Sequence, residues 1–235
     1  MHVLIGLCIA AFIFPICSKK ARLNITNWWC ASLLRCFNIE VKTFGKLPDA
    51  NTNKTMFIGN HISWTDIHAI NSIIPVRFIA KIEIRSWPIF GYLVSKSGTL
   101  FINRSIRKDA SRIVDMTTES LLELDNVCFF PEGTTTEGTH MLPFKSSITQ
   151  SAVDAEAYIW PLTIYYPLPD RKPDINMAFA GETSMIESML TMVKIKNPVV
   201  ELHFAEPISC RNQTRHSATA YAHSKISEQF NQLIN

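Results

Sequence analysis

Charge is scarce in this sequence. Asp, Glu, Lys and Arg make up 18% of its 235 residues, against about 25% in an average soluble domain. With 47% of the chain apolar, it reads as a globular protein that keeps part of its surface from water by something other than its own fold. The net charge of +3 is too small to indicate nucleic acid as a partner. The six cysteines, at 8, 17, 30, 36, 128 and 210, include no C-x-x-C pair. They read as small hydrophobes in a reducing compartment, with neither a disulfide framework nor zinc. No G-x-S-x-G elbow is present, which sets aside a serine hydrolase working through Ser63 or Ser147. No H-E-x-x-H or equivalent supports a metal site built from His61, Asp66, His68 and Glu132. There is no internal repeat and no low-complexity segment.

What is present begins with an apolar stretch. Val3 to Cys17 is apolar throughout and is followed by Ser18-Lys19-Lys20-Ala21-Arg22. A secretory signal carries its positive charge before the apolar run, not after it. The run is also shorter than the ~20 residues of a full membrane span. Trp28, Trp29, Leu33, Leu34 and Phe37 follow, with Arg35 among them. That mixture suits a helix lying at the level of lipid headgroups. From Ser18 to Ala50 six Lys or Arg stand against Glu40 and Asp49, a balance that an anionic leaflet attracts. Residues 1–38 are therefore expected to form a membrane-associated helical hairpin; the alternative is a hydrophobic hairpin packed on the domain. Residues 39–235 are expected to form that domain, since the chain is long enough for one sizeable core.

From Ile39 onward short β-like runs alternate with helical ones. The strands are expected at Ile39–Thr43, Thr55–Ile58, Val76–Ala80, Thr99–Asn103, Val127–Phe130, Ile159–Tyr165, Ile175–Ala180 and Val199–Phe204. The helices are expected at Trp64–Ile74, Trp87–Val94, Asp109–Leu124, Ser184–Met192 and Thr219–Ile234. Such alternation predicts an α/β fold: a mixed, mainly parallel sheet covered by helices, with chemistry on the loops at strand ends.

One of those loops is Gly59-Asn60-His61-Ile62-Ser63-Trp64-Thr65-Asp66. It places His61 in a strand-to-helix turn and Asp66 in the first helical turn. A carboxylate that accepts one ring N–H fixes the tautomer and leaves the other nitrogen to take a proton from a hydroxyl. Five residues turn a regular helix by roughly 140°, so the pair forms only if His61 lies before the helix and folds back over it. Asp66 has a second reading, since Ser63 and Asp66 also fit a capping pattern. Three further blocks end strands: Phe78-Ile79-Ala80-Lys81, Gly98-Thr99-Leu100-Phe101-Ile102-Asn103-Arg104, and Phe129-Phe130-Pro131-Glu132-Gly133-Thr134. Two cations, a His/Asp pair and a glycine permitting close backbone approach make a pocket for an anionic substrate with a hydroxyl to deprotonate.

These blocks, with Trp160-Pro161-Leu162 after them, match in order and rough spacing the motifs of the glycerolipid (lysophospholipid) acyltransferases, of which the bacterial acylglycerol-phosphate acyltransferases are the best-known members. The resemblance spans roughly Ile39 to Pro207. It implies acyl transfer from acyl-CoA or acyl carrier protein to the free hydroxyl of a lysolipid, with no cofactor and no metal, at the cytoplasmic face of the inner (cell) membrane. The acceptor it implies first is 1-acyl-sn-glycerol-3-phosphate, giving phosphatidic acid in phospholipid biosynthesis. By the same resemblance His61 and Asp66 are catalytic, Lys81 and Arg104 contact the anionic head group, and Glu132, Gly133 and Thr134 shape the acceptor site. Trp160-Pro161-Leu162 is similar to a block near the acyl donor. One position departs: many phosphate-acceptor members carry Arg after the Glu-Gly-Thr, where this chain has Thr135. That block, with Lys145 behind it, also resembles the subset acting on lyso-ornithine lipid and related lysolipids. A further alternative is a catalytically inactive membrane-binding adaptor, against which the intact His61/Asp66 pair stands.

Overall fold

The computed structural model describes residues 1–103 and 106–235. Its centre is the strand β2 (Thr55–Gly59), in which every residue is buried. A run of Thr-Met-Phe-Ile with no polar alternation suits a strand covered on both faces. Successive side chains point to opposite sides, and accordingly Phe57 joins one core cluster while Met56 and Ile58 join another.

Around β2 the described residues form a single sheet with β1 (Glu40–Gly45), β3 (Arg77–Lys81), β4 (Leu100–Ile102), β5 (Val127–Phe129), β6 (Tyr158–Tyr165), β7 (Val199–Phe204) and the two-residue β8 (Ile208–Ser209). The order is β1-β7-β6-β2-β5-β3-β4, with β8 on β6. Strands β2 to β6 run parallel to their partners among themselves, β6 pairs β7 antiparallel, and β1 follows β7. The sheet is thus mixed and mainly parallel. The carboxyl ends of β2, β3, β4 and β5 lie along one edge, where ligands of open α/β sheets bind.

Helices cover both faces. On the Phe57 side lie α2 (Lys19–Cys36), α3 (Thr65–Ile73) and α7 (Met185–Met192); they contribute Leu33, Leu34, Ala69, Ile70 and Met192 to that core. On the other side α5 (Arg107–Leu122), α6 (Gln150–Asp154) and α8 (Arg215–Ile234) contribute Ile113, Leu121, Ala152, Ala218, Ala222 and Ile226.

At the amino terminus, α1 (His2–Cys8) continues through a π turn at Ile9–Ile13 and a 3-10 turn at Phe14–Ile16. Pro15 lies in that last turn, and Ser18 starts α2 by accepting a hydrogen bond from the Ala21 N–H. The two segments meet where the His2 ring stacks on Trp29 at 5.0 Å. Among the described residues no helix is long and apolar enough to cross a membrane.

Three expected elements differ; the last helix starts at Arg215 and not Thr219, because Thr214 caps it. Ile175–Ala180 is not a strand: Asp174 accepts the Asn176 N–H and winds Ile175–Met177 into a 3-10 turn. The helix expected from Trp87 begins at Phe90, as α4 (Phe90–Lys96), because Pro88 intervenes.

Candidate active site

His61 follows the last residues of β2 and folds back over the start of α3, as a His/Asp pair of this spacing requires. Its Nδ1 lies 2.8 Å from Asp66 Oδ2. The same oxygen accepts the backbone N–H groups of Ile62 and Ser63, at 2.8 and 2.9 Å. The two readings of Asp66 are therefore not exclusive: its carboxylate ties down the turn before the helix and the imidazole above it. The other oxygen accepts the Tyr166 hydroxyl at 2.5 Å, and Thr65 Oγ1 lies 2.7 Å from that hydroxyl. Burial, with Asp66 alongside, raises the Tyr166 phenol well above its ordinary range, so it stays a donor to Asp66.

The turn itself is held from both sides. The Asn60 amide bonds both backbone groups of Ile164 on β6, at 2.9 and 2.8 Å. The His61 N–H donates to Glu132 Oε1 at 2.9 Å, and the other Glu132 oxygen accepts the Leu142 N–H at 2.8 Å. Glu132 is buried; its burial raises the carboxyl, while the two N–H donors pull the other way. After it the chain reverses at Gly133, with φ at +80°, a conformation natural to glycine. The returning loop closes on the site, since the Thr136 N–H donates to the His61 carbonyl at 2.9 Å and the Thr135 hydroxyl donates to the Phe179 carbonyl. Above all this the His61 ring lies flat on Phe130, with centroids 4.0 Å apart and planes at 6°.

His61 forms part of the wall of a cavity of about 390 Å³. Its floor and sides are largely apolar and come from α1 and α2 (Val3, Gly6, Ile25, Trp29), from the region after β3 (Ile84, Trp87, Phe90), and from Phe179, Met185 and Met189. His68 borders it with its Nδ1 3.4 Å from the Cys30 thiol. Lys81, exposed at the end of β3, and the loop Gly133, Thr134 and Thr135 also line it. The cavity is largely apolar, and its polar lining includes the His61 and His68 imidazoles, the Lys81 ammonium, the Glu83 carboxylate and the Gly133–Thr135 loop.

The structure thus brings together His61, Asp66, Lys81, Gly133 and Thr134. Glu132 braces the backbone of the site from beneath. Arg104 lies outside the described residues. Trp160, Pro161 and Leu162 are buried in the middle of β6, with Trp160 stacked on Phe57 at 5.5 Å, and do not line the cavity. Sequence reading missed Tyr166, Phe130 as the ring's support, and Phe179. Among the described residues no three His, Cys, Asp or Glu side chains are grouped to hold a metal.

Comparison with known proteins places the chain in a family. A family model described as "Acyltransferase" matches residues 38–165. A relative from Pseudomonas aeruginosa named lyso-ornithine lipid O-acyltransferase is 32% identical over 194 residues, 83% of this chain and 73% of its own. Another from Neisseria gonorrhoeae, named 1-acyl-sn-glycerol-3-phosphate acyltransferase, is 32% identical over 191 residues, 81% of this chain and 73% of its own. The crystal structure of the 1-acyl-sn-glycerophosphate (LPA) acyltransferase PlsC from Thermotoga maritima superposes with a TM-score of 0.68, covering 99% of this chain and 94% of that one, at 19% identity. That last likeness establishes the fold.

Proposed function

From the premise that this chain belongs to the Acyltransferase family and is an O-acyltransferase, we propose that it acylates the free hydroxyl of a lysolipid held at His61, taking the acyl group from acyl-CoA or acyl carrier protein. The observation that carries this reading is an imidazole tied through Nδ1 to Asp66 and set in the wall of a largely apolar cavity. With Nδ1–H donated to the carboxylate, Nε2 accepts the proton of the lysolipid hydroxyl. The hydroxyl oxygen attacks the thioester carbonyl, the C–O bond forms and the C–S bond breaks. The leaving thiolate takes the proton back from Nε2, so the imidazole ends neutral. No step calls for a metal, a cofactor or a covalent acyl-enzyme.

The polar side of the cavity receives the head group. Lys81 supplies an ammonium, Gly133 and Thr134 supply the loop wall that Glu132 holds in place, and Arg104 is the second cation we assign to the head group. The acceptor we place first is 1-acyl-sn-glycerol-3-phosphate. Lyso-ornithine lipid is the second reading, favoured by one observation: Thr135 lines the cavity with its hydroxyl committed to Phe179, where a phosphate would be met by an arginine fork. We further propose that residues 1–38 attach residues 39–235 to the cytoplasmic face of the inner membrane as a helical hairpin in one leaflet.

The test is direct. Purified full-length protein is incubated with acyl-CoA or acylated carrier protein and a panel containing both lysolipids, and products are identified by mass. A product one acyl group heavier than one of the acceptors is expected. Lipid binding without release of thiol would make the chain an adaptor and overturn the reading.

A further inference from the structure

The helix α7 is apolar on two sides. Its inner side buries Ser188 and Met192, receives the Trp64 indole N–H on Ser188 Oγ at 3.0 Å, and sets Met185 and Met189 into the cavity wall beside His61. Its outer side carries Ile186 and Leu190, and Val193 follows; they are 71%, 59% and 66% exposed. Spacings of four and three residues put them on one stripe. Exposed Glu187 and Thr191 separate the two sides along one flank, so the outer side is a narrow apolar stripe left bare beside a polar edge. Its start is fixed by a capping box between Ser184 and Glu187, and exposed Lys194 and Lys196 follow its end.

The other walls of the cavity repeat this pattern. Among the helical segments of the amino terminus Leu4, Phe12 and Ile16 are exposed, and beside α4 so is Ile89. Segments far apart in sequence therefore surround one apolar chamber and each turns apolar side chains outward. We infer that α7 is a second membrane-contacting element, whose Ile186–Leu190–Val193 stripe enters the acyl region of an anionic leaflet while Lys194 and Lys196 stay among its headgroups. A leaflet fits better than a protein partner because the helix that bears the stripe also lines the cavity through Met185 and Met189, and the stripe ends in cations. The inference rests on reading that cavity as the chamber for lipid substrates.

The test uses the full chain and vesicles of phosphatidylcholine with phosphatidylglycerol. Ile186→Ser/Leu190→Ser/Val193→Ser alters only exposed side chains, and its folding is checked by circular dichroism. Its partitioning into vesicles is expected to weaken by about tenfold, the loss of roughly half a buried side chain's transfer energy for the trio. Leu190→Trp, which keeps the stripe apolar, is expected to bind at least as tightly as wild type. Unchanged partitioning of the folded triple variant overturns the proposal; if that variant misfolds, Leu190→Lys with wild-type partitioning overturns it instead. The measurement needs no turnover, so a protein inactive on every lysolipid would fail the proposed function and leave this contact standing.

Discussion

At the scale of single residues, Asp66 is the point on which the site converges: one imidazole, two backbone amides and one phenol donate to it. Asp66→Asn cannot accept all of these, since one of its two terminal atoms becomes a donor. It is expected to lower kcat/KM by about 10²–10⁴-fold, as loss of a general base does, with circular dichroism unchanged; an Asn variant of full activity would leave Asp66 as a helix-start residue only. Tyr166→Phe removes one neutral-to-charged hydrogen bond, worth about 1.5–3 kcal/mol. We expect about a tenfold lower kcat with little change in KM. His61 and Asp66 were legible because their chemistry lies within five residues. Tyr166 was not: it stands 100 residues from Asp66, just past the end of an apolar strand with no polar neighbour to mark it. Thr135 tests the head group. Thr135→Arg is expected to raise the ratio of kcat/KM for a phosphate acceptor over a zwitterionic lysolipid by about tenfold, for ~1.4 kcal/mol gained. An unchanged ratio would show that this position does not face the head group.

At the scale of elements, α3 carries a group that responds to pH. His68 is wedged between Trp29, Trp64 and the Cys30 thiol, and burial, with the nearby His2, pushes its pKa down to about 4. The native state therefore holds it neutral, while the unfolded chain takes up a proton near pH 6.5. More protons on the unfolded state mean that stability falls as pH drops. The loss begins near 6.5 and is complete near 4, on the order of 3 kcal/mol. His68→Phe is expected to flatten that limb in urea midpoints measured at pH 7 and 4.5; a slope equal to wild type would count against it. The strands were largely legible because buried parallel strands are short apolar runs between breaks, and their ends agree to within one or two residues. Ile175–Ala180 misled because Ile-Asn-Met-Ala-Phe-Ala alternates like a strand, whereas the residue that decides it, Asp174, lies just before.

At the scale of the whole molecule, the amino-terminal helices belong to two structures at once. Leu33 and Leu34 sit in the main core, while Val3, Gly6 and Ala10 wall the cavity. Deleting residues 1–17 is expected to keep the fold and raise KM for long-chain acyl donors, with short-chain turnover retained. Deleting 1–37 also removes both leucines, each contributing about 1.5–3 kcal/mol, a large part of a typical total of about 5–15 kcal/mol. Denaturant midpoints of the two truncations separate these effects; equal midpoints would mean that α2 adds nothing to the core. That helices give way to alternating strands after Cys36 was readable from sequence, but not that the amino-terminal helices share a core with the sheet. That sharing depends on which face of α2 meets α3, a contact with no local signal.

The flat stacking of His61 on Phe130 has a stereochemical consequence. One face of the ring is covered and Nδ1 is engaged, so the proton must arrive in the ring plane, along the line of Nε2. An acceptor with its head group at Lys81 and Thr134 and its tail in the apolar chamber is then held at three points around its hydroxyl-bearing carbon. Its mirror image can satisfy only two of them. Offered a racemic lysolipid, the protein should consume one enantiomer and leave the other, a preference that chiral chromatography of the remaining substrate would read and that equal consumption of both would refute.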